Sequence, residues 1–153
     1  MRDITLIVIH CSATRADRPY DVEQLSRDHS ARGFDGIGYH LYVRRNGEVV
    51  QCRHLERIGA HAKGYNARSI GVCYEGGLDS AGRPADTRTP AQKKALLQLL
   101  QQLRSLFPEA GIVGHRDLPG VNKACPCFDA MREYAELQPN AAQSASDAAT
   151  NRP

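Results

Sequence analysis

Nowhere in the 153-residue chain does an apolar run approach the roughly 20 residues needed to cross a bilayer, which excludes a membrane-spanning helix. The opening stretch "MRDITLIVIHC" lacks the longer apolar region and small-residue cleavage site of a secretory signal, so the chain is expected to stay in a reducing cytoplasm. An even set of cysteines is also missing. There are five, whereas a secreted disulfide framework would normally pair them all. Strong charge of one sign is absent too: the formal net charge is +3, and no basic stripe interleaves with aromatics, which argues against a nucleic-acid partner. Internal repeats are lacking, and no large exposed apolar stripe is evident, so a monomer is expected.

What remains is ordinary in bulk. Hydrophobic residues make up 41% and charged residues 24%, as in soluble globular proteins, and the length suits one domain with a real core. "ITLIVIH" (residues 4–10) is a near-continuous β-branched run, as expected of a central strand covered on both faces. "DVEQLSRDHSARGF" (21–34) has an acidic start, Val22 and Leu25 on one side and Gly33 as a stop, and reads as an amphipathic helix. "GYHLYVRRNGEVVQC" (38–52) places two strand-like runs around Asn46-Gly47, a strong hairpin signal. "SIGVCYEGG" (69–77) is a further strand, "GLDSAGRPAD" a loop and "GIVGH" a short strand. Thr89 as N-cap and Pro90 at the first helical position open a helix with a leucine stripe, which Pro108 ends. "FDAMREYAEL" is expected as a final helix, and residues 138–153, small and polar, as a disordered tail after a domain spanning 1–137. Strands mixed with helices predict an α/β or α+β sheet with helices on its faces.

His10 ends the first strand, His115 ends the short strand before "RDLPG", and Cys125 follows in the loop "KACPCFD". Strand ends are where an open α/β sheet presents ligand groups, so these residues can converge from distant positions. Two imidazoles and one thiolate form a three-ligand set that leaves zinc's fourth position to water, the catalytic pattern. Buried, hydrogen-bonded histidines beside an inert cysteine are the competing interpretation, and spacing alone does not separate the two.

The motifs "VIHCSAT", "GYHLYVRRNG", "HAKGYNARSIGVCYEGG", "TPAQ", "GHRDLPG" and "KACPCFD" occur together, in order, from residue 4 to about 137. In this the chain resembles the zinc-dependent N-acetylmuramoyl-L-alanine amidases of the peptidoglycan-recognition-protein fold, nearest to the endolysin branch of the T-odd phage lysozyme type. The resemblance implies a mixed α/β fold, a central sheet flanked by helices, with one zinc ion per chain in a groove. It places the zinc ligands on His10, His115 and Cys125, the catalytic tyrosine on Tyr39 and the catalytic lysine on Lys123. By the same likeness His61, Lys63 and Asn66 are groove-wall residues expected to contact substrate, with His61 near the metal but not a ligand. The implied reaction is hydrolysis of the bond joining the lactyl group of N-acetylmuramic acid to L-alanine of the stem peptide. Its implied setting is the host cytoplasm, until a separate membrane-permeabilising protein gives access to the wall.

Two departures bear on the comparison. Muropeptide-recycling relatives carry a glutamate where this chain has Cys73, and a thiol of ordinary pKa is a poor general base. That favours the endolysin branch over a cytosolic recycler. Glu75 lacks motif support as a base. Cys127 stands where phage relatives commonly have serine, and a Cys125–Cys127 disulfide would need strained geometry. A non-catalytic peptidoglycan-recognition module is disfavoured because the whole ligand set is present. Some phage members bind their phage's RNA polymerase, a partner for which the short segment before Ile4 gives little support. His40, His29 and His54 are left outside the catalytic set.

Overall fold

The β-branched run near the start forms β1 (Leu6–Cys11), an interior strand of the computed structural model, which describes residues 2–139. Strands β3 (Leu41–Val43), β4 (Val49–Gln51), β5 (Ser69–Tyr74) and β7 (Gly111–Gly114) complete a five-stranded sheet of order β4-β3-β5-β1-β7. All neighbours run parallel except the β3–β4 hairpin. A two-stranded ribbon, β2 (Thr14–Arg15) with β6 (Gly77–Leu78), lies apart from it. The segment expected as a loop therefore holds β6 and an isolated bridge from Leu78 to Pro84.

Alternation along β1 divides the two faces of the sheet. Ile7, Ile9 and Cys11 pack on one side with Ile70, Val72 and Ile112 and with helix α2 (Pro90–Leu106). Thr89 caps α2 through a reciprocal capping box with Gln92, and Leu96 and Leu100 are fully buried. Each of those leucines contributes about 1.5–3 kcal/mol of apolar burial. On the opposite side lie Val8 and His10 of β1, with Tyr42 and Cys73 from neighbouring strands. Helix α1 (Val22–Ala31) closes part of that side with Leu25 and His29, and Asp21 caps it through a box with Gln24. The site lies on this second face.

The final helix is shorter than its sequence suggests. Asp129 caps α3 (Ala130–Glu133), and a 3₁₀ turn, Ala135–Leu137, follows. Between them Tyr134 turns inward, 4% exposed, and packs edge-on against Phe128. Side chains hold this segment where helix length does not. Arg88, with 1% of its side chain exposed, pairs with both Asp86 and Glu133 and stacks 3.4 Å from the centre of the Phe128 ring. Gln138 docks on the sheet edge, accepting from the Ile112 N–H at 2.8 Å and donating to its carbonyl at 2.7 Å. Residues 140–153, most of the expected tail, lie outside the described residues. No helix among the described residues is long and apolar enough to cross a membrane.

Candidate active site

Parallel pairing brings the metal candidates together. Ile9 pairs with Gly114, so His10 on β1 falls beside His115, the first residue after β7. His10 is the penultimate residue of its strand, and His115 opens a 3₁₀ turn where a strand end was expected. Their ring centroids are 4.5 Å apart. The "KACPCFD" loop then crosses β7 so closely that a Cβ on Gly114 would stand 2.7 Å from the Cδ of Pro126. Arg116 N–H donates to the Cys125 carbonyl at 2.8 Å and the Tyr74 hydroxyl to that of Pro126 at 2.6 Å, which fixes the loop. Cys125 Sγ is left 3.9 Å from His10 Nδ1, and it accepts the Cys11 N–H at 3.3 Å. One ligand atom from each of His10, His115 and Cys125 lies within 4.8 Å of the others.

Tetrahedral zinc holds nitrogen and sulfur ligands about 3.4–3.6 Å apart, given bonds of about 2.0–2.3 Å. The observed atoms stand wider than that, within 4.8 Å of one another. The donors are of the kind zinc takes, and they border an open cavity of about 500 Å³. Burial, then the neighbouring His61 and His115 and Lys123, holds His10 well below the usual imidazole pKa. His115 is lowered by burial and by Lys123. Both rings therefore offer bare nitrogens at neutral pH.

Tyr39 and Lys123 line the same cavity from opposite parts of the chain. The Tyr39 ring centroid is 5.0 Å from that of His10, and burial, with nearby thiols, pushes its phenol well above 10. It stays protonated and able to donate. Lys123 is exposed at the rim and reaches the site on the loop that carries Cys125. Of the ionised side chains that border the cavity, Arg32, Lys63 and Lys123 are cationic and none is acidic.

His61, Lys63 and Asn66 also border the cavity, in different states. Lys63 is exposed. Asn66 uses its carbonyl oxygen to accept the N–H groups of His61 and Ala62, each at 2.9 Å, and so shapes the loop. His61 has both ring nitrogens engaged, Nδ1 with His10 and Nε2 with Ser69. Burial lowers its pKa to about 3, with the charges of His40 and His115 adding to the effect.

Other candidates fall elsewhere. His40 is fully buried, accepting from Gly71 N–H and donating to the Arg57 carbonyl. Glu75, 1% exposed, follows β5 directly and does not line the cavity; it accepts from Tyr20 N–H, Arg44 Nε and Arg45 N–H. Burial raises the Cys73 thiol well above its ordinary pKa, so it cannot act as a base. Cys127 faces Cys11, Sγ to Sγ 3.9 Å, and not the cavity. His29 belongs to the site's support: it accepts the Gly38 N–H at 2.9 Å, and its ring lies 5.3 Å from that of Tyr39. Its spacing of four from Leu25 was the available signal, since it places both on the buried stripe of α1.

Residues 1–128 match the family model described as N-acetylmuramoyl-L-alanine amidase. The endolysin of Enterobacteria phage K11 is 42% identical over 124 residues, 81% of each chain. That of Escherichia phage T7 is 39% identical over 126 residues, 82% of each. Among solved structures, the N-acetylmuramoyl-L-alanine amidase LysC of Clostridium intestinale superposes with a TM-score of 0.74 at 27% identity, covering 88% of this chain and 84% of its own.

Proposed function

The chain belongs to the N-acetylmuramoyl-L-alanine amidase family and is an endolysin-type amidase, and we propose that its reaction is zinc-dependent, with His10, His115 and Cys125 as ligands. It hydrolyses the amide between N-acetylmuramic acid and L-alanine of the stem peptide in cell-wall peptidoglycan. The observation that carries the metal assignment is the convergence of two imidazoles and one thiol on one open cavity. Bound there, zinc supplies a Lewis acid and lowers the pKa of water toward neutrality.

The protein's own groups account for the rest. The Cys11 N–H donates to Cys125 Sγ and so helps fix where that sulfur sits. Attack on the scissile carbonyl builds negative charge on its oxygen, and donors aimed at that charge lower the barrier. Lys123 and Tyr39 are the donors we assign, because both border the cavity beside the histidines and the phenol is kept protonated by burial. Lys63, an exposed cation on the wall, is assigned to substrate binding, and Asn66 contributes by shaping the loop that carries it. The enzyme is taken to act from the host cytoplasm once a separate protein permeabilises the membrane.

Clearing of chloroform-permeabilised Gram-negative cells tests the metal assignment. A chelator should stop it and zinc should restore it. Lysis that persists in metal-stripped protein would overturn it.

A further inference from the structure

His61 holds a position that substrate binding does not explain. Its Nδ1 lies 2.9 Å from His10 Nε2, and its Nε2 lies 3.2 Å from the hydroxyl of buried Ser69. The backbone is arranged for this placement. Asn66 fixes the His61 N–H, and β5 has glycine where the ring rests, since a Cβ on Gly71 would stand 2.7 Å from two ring carbons. A group reaching for substrate would keep a ring nitrogen facing the cavity. This one directs Nδ1 at the back of His10 and Nε2 at the sheet.

We propose that His61 is a positioning residue that accepts the Nε2–H of His10 and so holds His10 in the tautomer whose bare Nδ1 faces Cys125. The chain of donors is consistent from end to end. His10 Nε2–H donates to His61 Nδ1, and His61 Nε2–H donates to the Ser69 hydroxyl. A neutral imidazole carries one ring proton, so placing it on Nε2 leaves Nδ1 as the lone-pair nitrogen, on the side where Cys125 Sγ lies at 3.9 Å. Outer partners of this kind fix the orientation of a ligating imidazole, and losing one lowers metal affinity about 10–100-fold. The metal part of the inference rests on the zinc-site reading above; the tautomer part does not.

The experiment compares wild type with His61→Leu, His61→Asn and Ser69→Ala. Asparagine places an amide oxygen near the position of Nδ1 and restores the acceptor, while leucine fills the space without one. In metal-free protein near pH 7.5, ring ¹⁵N shifts should show His10 protonated at Nε2 in wild type and His61→Asn, and a tautomer mixture in His61→Leu. Zinc affinity by chelator competition should fall about 10–100-fold in His61→Leu. His61→Asn should stay within a few-fold of wild type, and Ser69→Ala should fall between. KM on purified sacculi should not move. A single Nε2–H tautomer in His61→Leu with unchanged zinc affinity would overturn the proposal, as would a raised KM at unchanged zinc affinity, which would make His61 a substrate contact. Should wild type bind no zinc while His10 keeps its Nε2 proton only when residue 61 offers an acceptor, the zinc reading fails and the positioning role stands.

Discussion

His10 Nδ1 and Cys125 Sγ stand 3.9 Å apart across 115 residues of sequence. Parallel pairing of β1 with β7 places one, and the turn packed against Gly114 places the other. Neighbouring Cys127 carries the same chemical group two residues on, yet its Sγ faces Cys11 and the Gly77 carbonyl. The two thiols should therefore separate cleanly on substitution. Cys125→Ser should lose stoichiometric zinc and more than about 100-fold of lytic activity, a larger effect than the loss of an outer partner. Cys127→Ser should keep both. Metal analysis of the purified variants beside a turbidity assay checks this.

Tyr39→Phe removes the phenol and keeps the ring that packs against His10 and His29. It should retain zinc while kcat falls about 100–1,000-fold, the usual cost of deleting one oxyanion donor. Lys123→Met should behave similarly. Both losses should fall on kcat more than on KM, and steady-state rates on a soluble muropeptide amide read the split.

Arg88 is a stability residue. Its buried guanidinium joins Asp86 to Glu133 and covers Phe128. Arg88→Ala leaves two carboxylates that are 33% and 41% exposed, so water offsets part of the loss and the cost should be about 1–3 kcal/mol. Urea denaturation should show a lower midpoint at an unchanged slope.

His40 gives stability a pH dependence. Burial lowers its pKa to about 4, with the nearby charges of Arg2 and Arg53 adding to the effect and the hydrogen bond to Arg57 opposing it. The unfolded chain takes up this proton near pH 6.5 and the folded chain does not. Stability is therefore fully present above about 6.5 and falls as the pH drops toward 4, by on the order of 3 kcal/mol. In metal-stripped protein, His40→Gln should flatten the denaturation profile over that window by about one proton.

Much of this was legible in the sequence, for physical reasons. The helix starts, acidic at Asp21 and capped at Thr89, and the Asn46-Gly47 hairpin are local signals and appear as expected. The near-continuous apolar run of β1 likewise reads as a strand covered on both faces, and it is one. The three metal candidates were nameable because strand ends converge in a parallel sheet. The partner of His61 was not, since Nδ1 reaches His10 only through a loop shaped by Asn66 and a space left by Gly71. Nor was the early end of the last helix, where Tyr134 turns into the core and Glu133 pairs with Arg88.

Digestion of purified sacculi, followed by end-group analysis of the released material, tests the assigned reaction most directly. New L-alanine amino termini should accumulate without new reducing sugars, should cease on zinc removal, and should be absent with Cys125→Ser. New reducing ends without alanine termini would mean that a glycosidic bond is cut, and would contradict the amidase chemistry derived from this site.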